Sequence, residues 1–401
     1  MPQLRCFKCG KLYEEDVIYL CECGGPLEVI YNFKDIEFDI DTARNMPLGV
    51  WRYRDLLPTQ RRVSLDEGGT PLYECSNLAK HLGLKNLYVK NEGANPTGSF
   101  KDRGMTVGVS KAMEFESEFV ACASTGNTSA SLAAYAARAG ITAIVMIPSG
   151  KIAFGKLSQA LIHGAKVLAL PGNFDDALEA IRSACNEYGF YLLNSINPYR
   201  LEGQKTIAYE IIDQLVEQPP DRVILPVGNA GNISAIRKGF LEFGELDIIE
   251  DLPMMCGIQA QGARPVVDMY EQELADLVPE KHPETIATAI RIGNPVNWLK
   301  AITAIRESGG CSHGVSDEEI LAAQKLLARK EGIFVEPASA ASIAGLIKMV
   351  ELQAVDPDET IVCITTGHGL KDADTAIENC KGDLIEVDDI KNIGSLLGVQ
   401  E

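Results

Sequence analysis

The stretch RVILPVGNAGNISAIRKGFLEF, residues 222–243, contains in one piece the unit from which the fold is built. Its first part, 222–227, is an apolar run with the length of a buried strand. A glycine-rich turn, 228–232, follows directly, and the apolar residues of 233–243 then recur with the spacing of a helix. A strand, a short turn and a helix in this order are typical of a parallel sheet covered by helices, so the stretch predicts α/β architecture.

Further apolar runs of strand length occur on both sides of this unit. They are residues 86–89, 119–122, 143–147, 166–170 and 360–364, and we expect each to form a buried strand. Helical periods separate them, for example in the alanine-rich segment 129–139 and in 318–330. No repeat of solenoid length and no long low-complexity linker divides the chain. The sequence therefore predicts two α/β domains that share a cleft.

The 401-residue chain is strongly acidic, with 37 Lys and Arg against 56 Asp and Glu and a formal net charge of -19. This charge repels phosphate backbones and anionic lipid surfaces at long range, so neither nucleic acid nor a membrane is an expected partner. A site for a phosphorylated molecule must then be built from local donors that overcome the acidic background. The first residues lack the apolar stretch of a signal peptide, and no window approaches the ~18 apolar residues of a membrane span. We therefore expect a cytoplasmic protein.

Four of the eleven cysteines lie near the N-terminus, as Cys6-x-x-Cys9 and Cys21-x-Cys23. Two close pairs, each followed by glycine, can present four thiolates to one tetrahedral zinc ion, and four thiolates leave no open position for chemistry. The predicted site is therefore structural, in a module too small to fold without a staple. The alternative is a ribbon with reduced, metal-free thiols, because the second pair has one intervening residue instead of two. The other seven cysteines stand singly, and we expect them to be core residues.

The segment NPTGSFKDRG, residues 95–104, places Lys101 beside Gly and Ser at a turn that enters a predicted helix. The helix N-terminus and the neighbouring Arg103 oppose an added positive charge, which favours the neutral amine that attacks an aldehyde. Lys101 is therefore a candidate for covalent catalysis. A solvated surface lysine is the alternative, so this residue needs support from other parts of a cofactor site.

The glycine turn at 228–232 offers such support. Glycines let backbone N–H groups approach phosphate oxygens, and the dipole of the following helix adds partial positive charge without a cationic side chain. A dinucleotide could use the same kind of turn, but the spacing is not GxGxxG and no acidic residue for a ribose is evident nearby.

Two further turns after predicted strands carry hydroxyl groups. The segment 124–129 could bind a substrate carboxylate and phosphate, and ordinary helix capping is its alternative. The segment 365–372 follows the strand that ends at Ile364, and a hydroxyl there could face a heterocyclic ring. Glu336-Pro337 begins a predicted helix against the site, with close packing through small residues as an equal interpretation.

Together these segments resemble the threonine synthases of the fold-type II pyridoxal-phosphate enzymes, which are related to serine and threonine dehydratases and cysteine synthase. The motifs that carry the resemblance are residues 68–72, 95–104, 124–129, 194–200, 228–232, 292–298 and 366–372. The N-terminal cysteines are similar to the ribbon of many threonine synthases, although only the first pair has the usual CxxC spacing. The implied fold is like that of tryptophan synthase β, with two parallel-sheet α/β domains, a cleft and the small zinc-ribbon-like module. We place the ribbon at 1–33, the large cofactor-binding domain at 34–90 and 200–401, and the smaller domain with Lys101 at 91–199.

The resemblance implies a role for each site residue. Lys101 would hold pyridoxal phosphate as a Schiff base, Asn127 would bond the ring hydroxyl, and Thr366 would meet the pyridine nitrogen. The residues implied to bind the cofactor's phosphate are Gly228, Asn229, Ala230, Gly231 and Asn232. Those implied to bind the substrate's phosphate are Ser124, Thr128, Lys151, Lys156 and Arg200.

The implied activity is the conversion of O-phosphohomoserine and water into threonine and phosphate, in an enzyme that the fold family suggests is a homodimer. Lys101 would move the Cα and Cβ protons, phosphate would leave from Cγ and water would add at Cβ. A cysteate synthase, which would replace the phosphate of O-phosphoserine with sulfite, differs by one methylene in its substrate, and the cofactor motifs do not separate the two. A nicotinamide enzyme or a nucleotide-binding regulatory protein is the alternative from another class.

Overall fold

The computed structural model describes residues 2–149, 154–172, 174–383 and 387, and its strands fall into three sheets. The strands are β1 (Gln3–Cys6), β2 (Leu12–Tyr13), β3 (Leu27–Ile30), β4 (Leu72–Glu74), β5 (Asn86–Asn91), β6 (Phe119–Ala123), β7 (Thr142–Pro148), β8 (Lys166–Leu170), β9 (Tyr191–Leu192), β10 (Arg222–Pro226), β11 (Met254–Ala260), β12 (Ser312–Val315) and β13 (Thr360–Thr365). The α-helices are α1 (Ile40–Ala43), α2 (Ser76–Leu82), α3 (Lys101–Glu114), α4 (Asn127–Ala139), α5 (Phe154–Ile162), α6 (Phe174–Tyr188), α7 (Pro198–Gln204), α8 (Thr206–Gln214), α9 (Gly231–Glu245), α10 (Pro265–Glu271), α11 (Trp298–Glu307), α12 (Asp317–Glu331), α13 (Pro337–Glu351) and α14 (Ala373–Cys380).

The large sheet has six strands in the order β12-β11-β10-β13-β5-β4. All neighbours are parallel except β4, which pairs antiparallel with β5 at the edge. Strand β10 comes from the stretch quoted first, and every one of its residues is buried. Successive side chains of a strand point to opposite faces. Ile224 accordingly packs in a cluster with α12 and α13, whereas Val223 and Leu225 pack with α8 and α9, so helices cover both faces as predicted.

The smaller sheet is fully parallel, with the order β8-β7-β6-β9. The predicted strands at 119–122 and 143–147 form its two central members, β6 and β7. The segment 166–170 forms β8, but the prediction that this strand is buried is wrong. Leu168 is 48% exposed because β8 is the edge strand and pairs with β7 alone.

The N-terminal ribbon forms a separate antiparallel sheet in the order β2-β1-β3. Its inward side chains do not form a core of their own. Leu4, Leu27 and Val29 pack in one cluster with Met105 of α3 and Leu132 of α4. The ribbon is therefore built into the same hydrophobic core as the helix that carries Lys101.

The predicted helical segments are confirmed as α4 and α12. Helix α12 begins at a capping box, in which the Ser316 hydroxyl and the Glu319 side chain each bond the other's backbone N–H, as this sequence pattern favours. The predicted α/β class with two mostly parallel sheets and a cysteine ribbon is confirmed. The domain boundaries placed at 33, 90 and 199 stay predictions. Among the described residues, none of the helices has both the length and the apolar character that a membrane crossing requires.

The expectation that the seven single cysteines are core residues holds for five of them and is wrong for two. Cys311 is partly exposed, and Cys380 is exposed because it ends α14, a helix without buried residues. Neither of these two thiols lies in an apolar run, since Gly310 and Ser312 flank Cys311, and Asn379 and Lys381 flank Cys380.

Candidate active site

Lys101 is the first residue of α3 and lies where two chain segments run side by side. The N–H of Phe100 donates to the carbonyl oxygen of Thr366 at 3.0 Å, and the N–H of His368 donates to that of Gly98 at 2.9 Å. Thr366 follows β13 directly, so the lysine is fixed at the carboxyl end of the large sheet. Ligands of open parallel sheets bind at this end.

The surroundings of Lys101 favour its neutral form. The pKa of its amine is lowered to about 7, mainly by burial and next by the Arg200 guanidinium, while the Glu336 carboxylate acts in the opposite direction. An amine with this pKa is substantially unprotonated near neutral pH and can attack an aldehyde. The cation that acts on Lys101 is thus Arg200 and not Arg103 as predicted, because buried carboxylates neutralise Arg103.

Arg103 belongs to a buried ion cluster that anchors α3. Its guanidinium pairs with Glu92 (Nε to Oε2, 2.6 Å) and with Glu210 of α8 (Nη1 to Oε1, 2.7 Å). Lys90 of β5 pairs with the second oxygen of Glu210 at 2.7 Å, and all four side chains are fully buried. Two cations and two carboxylates balance within the cluster, so the start of the Lys101 helix is held to both β5 and α8.

The glycine turn lies between β10 and α9 and is shaped by close packing. A Cβ on Gly228 would lie 3.2 Å from the Ala289 oxygen and 3.3 Å from the Ile290 Cα, so the chain passes another backbone closely here. Ala230 adopts a left-handed conformation with φ of 63° just before α9 begins. Both side-chain amide atoms of Asn232 are buried without a hydrogen-bond partner among the described residues. The turn thus presents a helix N-terminus and an unsatisfied amide at the carboxyl end of β10, the arrangement that suits a phosphate.

The segment predicted to bind substrate lies between β6 and α4. The N–H of Gly126 donates to the Ser124 hydroxyl at 3.1 Å, which fixes the turn before the helix. Asn194 braces the end of β6 from the other side, since its amide accepts from the Ala123 N–H (3.0 Å) and donates to the Ala123 carbonyl (3.1 Å). Asn194 lies in a motif that carries the resemblance, but no local pattern indicates that its side chain braces β6.

Asn127, the first residue of α4, is held by Glu336, which directly precedes α13. Its side-chain Nδ2 lies 3.0 Å from Glu336 Oε1, and burial is the main cause that raises the pKa of this carboxyl group. Glu336 also acts electrostatically on Lys101. Sequence reasoning placed Glu336 only at the start of a helix, so its contact with Asn127 was missed.

Thr366 lies beside Ser339 of α13, with their hydroxyl oxygens 2.9 Å apart. The same serine hydroxyl accepts from the Gly367 N–H at 2.7 Å. A Cβ on Gly367 would lie 2.6 Å from Glu336 Oε1, so a side chain there would displace the carboxylate that holds Asn127. One side of the site is therefore lined continuously by Thr366, Glu336 and Asn127.

Arg200 lies in α7 and is 1% exposed. Its Nε and Nη2 have no hydrogen-bond partner within the described part of the chain. Burial lowers its pKa to about 10, so the guanidinium remains charged at neutral pH. A buried cation without a carboxylate is costly and calls for an anionic ligand.

The side chains of two residues predicted to bind the substrate's phosphate lie outside the described part of the chain. Lys151 lies outside the described residues, and of Lys156 only the helical backbone, within α5, is described. Thr128 lies in the first turn of α4, one residue after Asn127.

The four N-terminal cysteines converge, with all Sγ atoms within 4.8 Å of one another. The Sγ atoms of Cys6 and Cys23 are 3.5 Å apart, and those of Cys9 and Cys21 are 3.6 Å apart. Zinc–sulfur bonds of ~2.3 Å in a tetrahedron place sulfur atoms roughly 3.8 Å apart, so the thiols fit a zinc ion. The two turns use positive φ at the glycine that follows each pair, 74° and 77°.

Comparison with known proteins adds a family and several relatives. Residues 63–367 match the model of the family described as pyridoxal-phosphate dependent enzymes. The chain is 64% identical over 379 residues to a threonine synthase of Methanocaldococcus jannaschii, covering 93% of this chain and 94% of the relative. It is 60% identical over 384 residues to a threonine synthase of Methanosarcina acetivorans, covering 95% of each chain.

Solved structures share the fold at low sequence identity. A threonine deaminase isoform 2 from Solanum lycopersicum matches with a TM-score of 0.66 and 23% identity over 78% of this chain and 87% of that one. Maize serine racemase matches with a TM-score of 0.68 and 21% identity over 86% of this chain and 97% of that one. These structures bear on the fold alone.

Proposed function

Because the chain belongs to the pyridoxal-phosphate dependent enzymes and, within them, to the threonine synthases, we propose that it converts O-phosphohomoserine and water into threonine and phosphate. The observation that carries the proposal is the pairing of two groups in one site. They are an amine with a pKa of about 7 at Lys101 and a buried guanidinium at Arg200 that lacks a partner among the described residues. The first suits a covalent bond to an aldehyde, and the second suits the phosphate of a substrate.

The residues present fit pyridoxal phosphate. The amide atoms of Asn232 and the hydroxyl of Ser99 are buried without partners among the described residues, and polar groups left in this state call for a bound ligand. Lys101 would hold the aldehyde carbon, Asn127 would bond the ring hydroxyl and Thr366 would face the ring nitrogen. The residues that would bind the cofactor's phosphate are Gly228, Asn229, Ala230, Gly231 and Asn232.

When bound, pyridoxal phosphate supplies an aldehyde that takes the substrate's amine and a ring that accepts carbanion charge. The chain's own residues supply the rest. Lys101, once released, takes and returns protons at Cα and Cβ of the substrate, for which its depressed pKa suits it. Thr366 offers the ring nitrogen a neutral hydroxyl instead of a carboxylate, which does not enforce protonation there.

The substrate's phosphate would be bound by Arg200 together with Ser124 and Thr128 at the start of α4. The cation offsets the acidic background of the chain, and the hydroxyls add neutral donors. We propose the same role for Lys151 and Lys156, which follow β7. Phosphate leaves from Cγ of the substrate, and water adds at Cβ.

The proposal is tested by incubating the purified holoenzyme with O-phosphohomoserine and identifying the amino acid product. Threonine and phosphate in equal amounts are expected. Parallel reactions with O-phosphoserine, with and without sulfite, distinguish a threonine synthase from a cysteate synthase. If phosphate is released from O-phosphoserine and not from O-phosphohomoserine, the assigned substrate is wrong.

Three further properties belong to the proposal. Cys6, Cys9, Cys21 and Cys23 bind one structural zinc ion, for which their Sγ spacing is suited. The enzyme is cytoplasmic, as the character of its first residues favours, and it is a homodimer, as the fold family suggests; light scattering of the holoenzyme measures the oligomeric state. The chain divides into a ribbon at 1–33, a large domain at 34–90 and 200–401, and a smaller domain at 91–199. The large domain's last residues lie outside the described part.

A further inference from the structure

Arg200 is flanked on both sides by contacts to the N-terminal ribbon. The residue before it, Tyr199, donates its hydroxyl to the Asp16 carbonyl oxygen at 3.1 Å. Two residues after it, Glu202 accepts from the Tyr31 hydroxyl at 2.7 Å. Both ends of the helical turn that carries Arg200 are therefore attached to the ribbon.

Lys238 extends this attachment to α9, the helix that begins at the glycine turn. Its Nζ donates to the carbonyl oxygen of Val29 in β3 at 2.5 Å and forms an ion pair with Glu202. Lys205 pairs with the other oxygen of Glu202 at 2.7 Å. Ribbon, α7 and α9 thus meet at one buried carboxylate.

A second lysine, Lys300, holds strand β3 of the ribbon from another helix. Lys300 of α11 is buried and donates its Nζ to the Leu27 carbonyl oxygen at 2.6 Å. Two alternate carbonyls of β3, those of Leu27 and Val29, therefore accept from lysines of two body helices. A shift of β3 along its own direction would break both hydrogen bonds. The two lysines therefore fix the position of β3, and β3 in turn can fix that of α7.

The Arg200 side chain is buried, but its guanidinium has few polar contacts to orient it. Two of its guanidinium nitrogens lack a partner among the described residues, so no carboxylate fixes them there. Its position must then follow from that of the α7 backbone, which packs on α3 so closely that a Cβ on Gly203 would overlap the Arg103 carbonyl oxygen. The ribbon contacts hold α7 through the side chains of the residue before Arg200 and of the second residue after it.

We propose that the ribbon is a positioning element for Arg200. Through Asp16, Val29 and Tyr31 it fixes α7, and thereby the place at which the substrate's phosphate is bound. Tyr31 and Tyr199 are then positioning residues that touch neither substrate nor cofactor. The inference rests on the proposed function in one respect, the role of Arg200 as a phosphate ligand. A ribbon that only stabilised the fold would leave phosphate affinity unchanged in the folded enzyme.

The test compares three conservative variants of the holoenzyme, Tyr31→Phe, Tyr199→Phe and Tyr270→Phe. Tyr270 is the matched control, since its hydroxyl donates to the Gly310 carbonyl oxygen at 3.1 Å, the same kind of bond as in Tyr199, but in α10. The affinity for inorganic phosphate is measured by calorimetry with the cofactor bound, so that its own phosphate occupies the glycine turn. KM and kcat for O-phosphohomoserine are measured in parallel.

Tyr31→Phe and Tyr199→Phe should each weaken phosphate binding and raise KM about 3- to 10-fold, the size expected for one hydrogen bond, with kcat little changed. Tyr270→Phe should leave both constants as in the wild type. Equal phosphate affinity in all three variants would overturn the positioning role. Arg200→Met separates this failure from that of the proposed function. If Arg200→Met also binds phosphate normally, the assignment of Arg200 as a phosphate ligand is wrong and the positioning role falls with it, whereas the proposed activity falls only if O-phosphohomoserine yields no threonine.

Discussion

The side-chain amide of Asn127 donates from Nδ2 to both carboxylate oxygens of Glu336, at 3.0 and 3.2 Å. An asparagine amide can present nitrogen or oxygen to a neighbour, but a carboxylate accepts only from the nitrogen. Glu336 therefore determines which end of Asn127 faces the site. We expect the two carboxylate oxygens to share one N–H of this nitrogen, which would leave its second N–H for the ring hydroxyl of the cofactor.

Glu336→Ala should therefore weaken pyridoxal phosphate binding by about tenfold, since a hydrogen bond to a charged group contributes about 1.5 kcal/mol or more. Glu336→Gln keeps an acceptor oxygen at the same place and should lose less. Titration of each apoenzyme with the cofactor, followed by protein fluorescence, measures the difference. Equal affinities for the wild type and the alanine variant would show that Asn127 needs no such support.

Replacing Lys101 by Ala should abolish threonine formation while the fold persists, because the side chain lies at the first position of α3 and outside the Arg103 ion cluster. Borohydride reduction of the wild-type holoenzyme, followed by peptide mass spectrometry, should find the cofactor on Lys101. An adduct on another lysine, or full turnover by a variant purified free of host enzyme, contradicts the assignment.

The reactivity of Lys101 should depend on pH in a defined direction. Its amine has a pKa of about 7, lowered first by burial and next by Arg200, so the reactive neutral form grows as the pH rises through that value. Reductive methylation of the apoenzyme by formaldehyde, measured at Lys101 by mass spectrometry, reports this fraction. Arg200→Met removes a repelling cation, raises the pKa and should move the curve to higher pH. Arg264→Met, at a partly exposed ion pair in another part of the molecule, should leave it in place.

Loss of Arg103 should destabilise the protein strongly. Arg103→Met leaves Glu92 and Glu210 buried with Lys90 as the remaining cation, and removing one partner of a buried charge cluster costs about 3–5 kcal/mol. Calorimetric unfolding measures the change. The control is Lys85→Met, which breaks an ion pair that is exposed on both sides and should alter the unfolding temperature little. Similar unfolding temperatures for the two variants would show that the buried cluster does not anchor α3.

The fold class could be predicted from the sequence because each strand–turn–helix unit has its own local pattern of apolar residues and turn residues. The run that became β10 could be identified from its apolar residues and the glycine turn after it. The exposure of an edge strand such as β8 could not be predicted in this way. It depends on which strands pair, and the local sequence does not contain that information.

Contacts between side chains that are distant in sequence also could not be predicted. Glu336 lies 209 positions from Asn127, so no local pattern indicates that their side chains meet. For the same reason, the local sequence predicts that the neighbouring Arg103 acts on Lys101, whereas the cation that does so is Arg200 of α7. Residue types in a motif indicate chemistry, whereas the partner of each charge depends on the packing of helices that are remote in sequence.

The last prediction concerns the metal. The wild-type protein, purified with zinc supplied, should contain one zinc ion per chain by elemental analysis, and Cys23→Ser should contain none. Because Leu4 and Leu27 share a core with α3 and α4, loosening the ribbon exposes apolar surface of the body, so the variant should also unfold at a lower temperature. Cys380→Ser is the control, since Cys380 is exposed at the end of α14 and far in sequence from the ribbon. Zinc-free wild-type protein with an unchanged unfolding temperature after chelation would instead favour reduced, metal-free thiols, in which case the contacts of Lys238 and Lys300 with β3 would have to hold the ribbon without an ion.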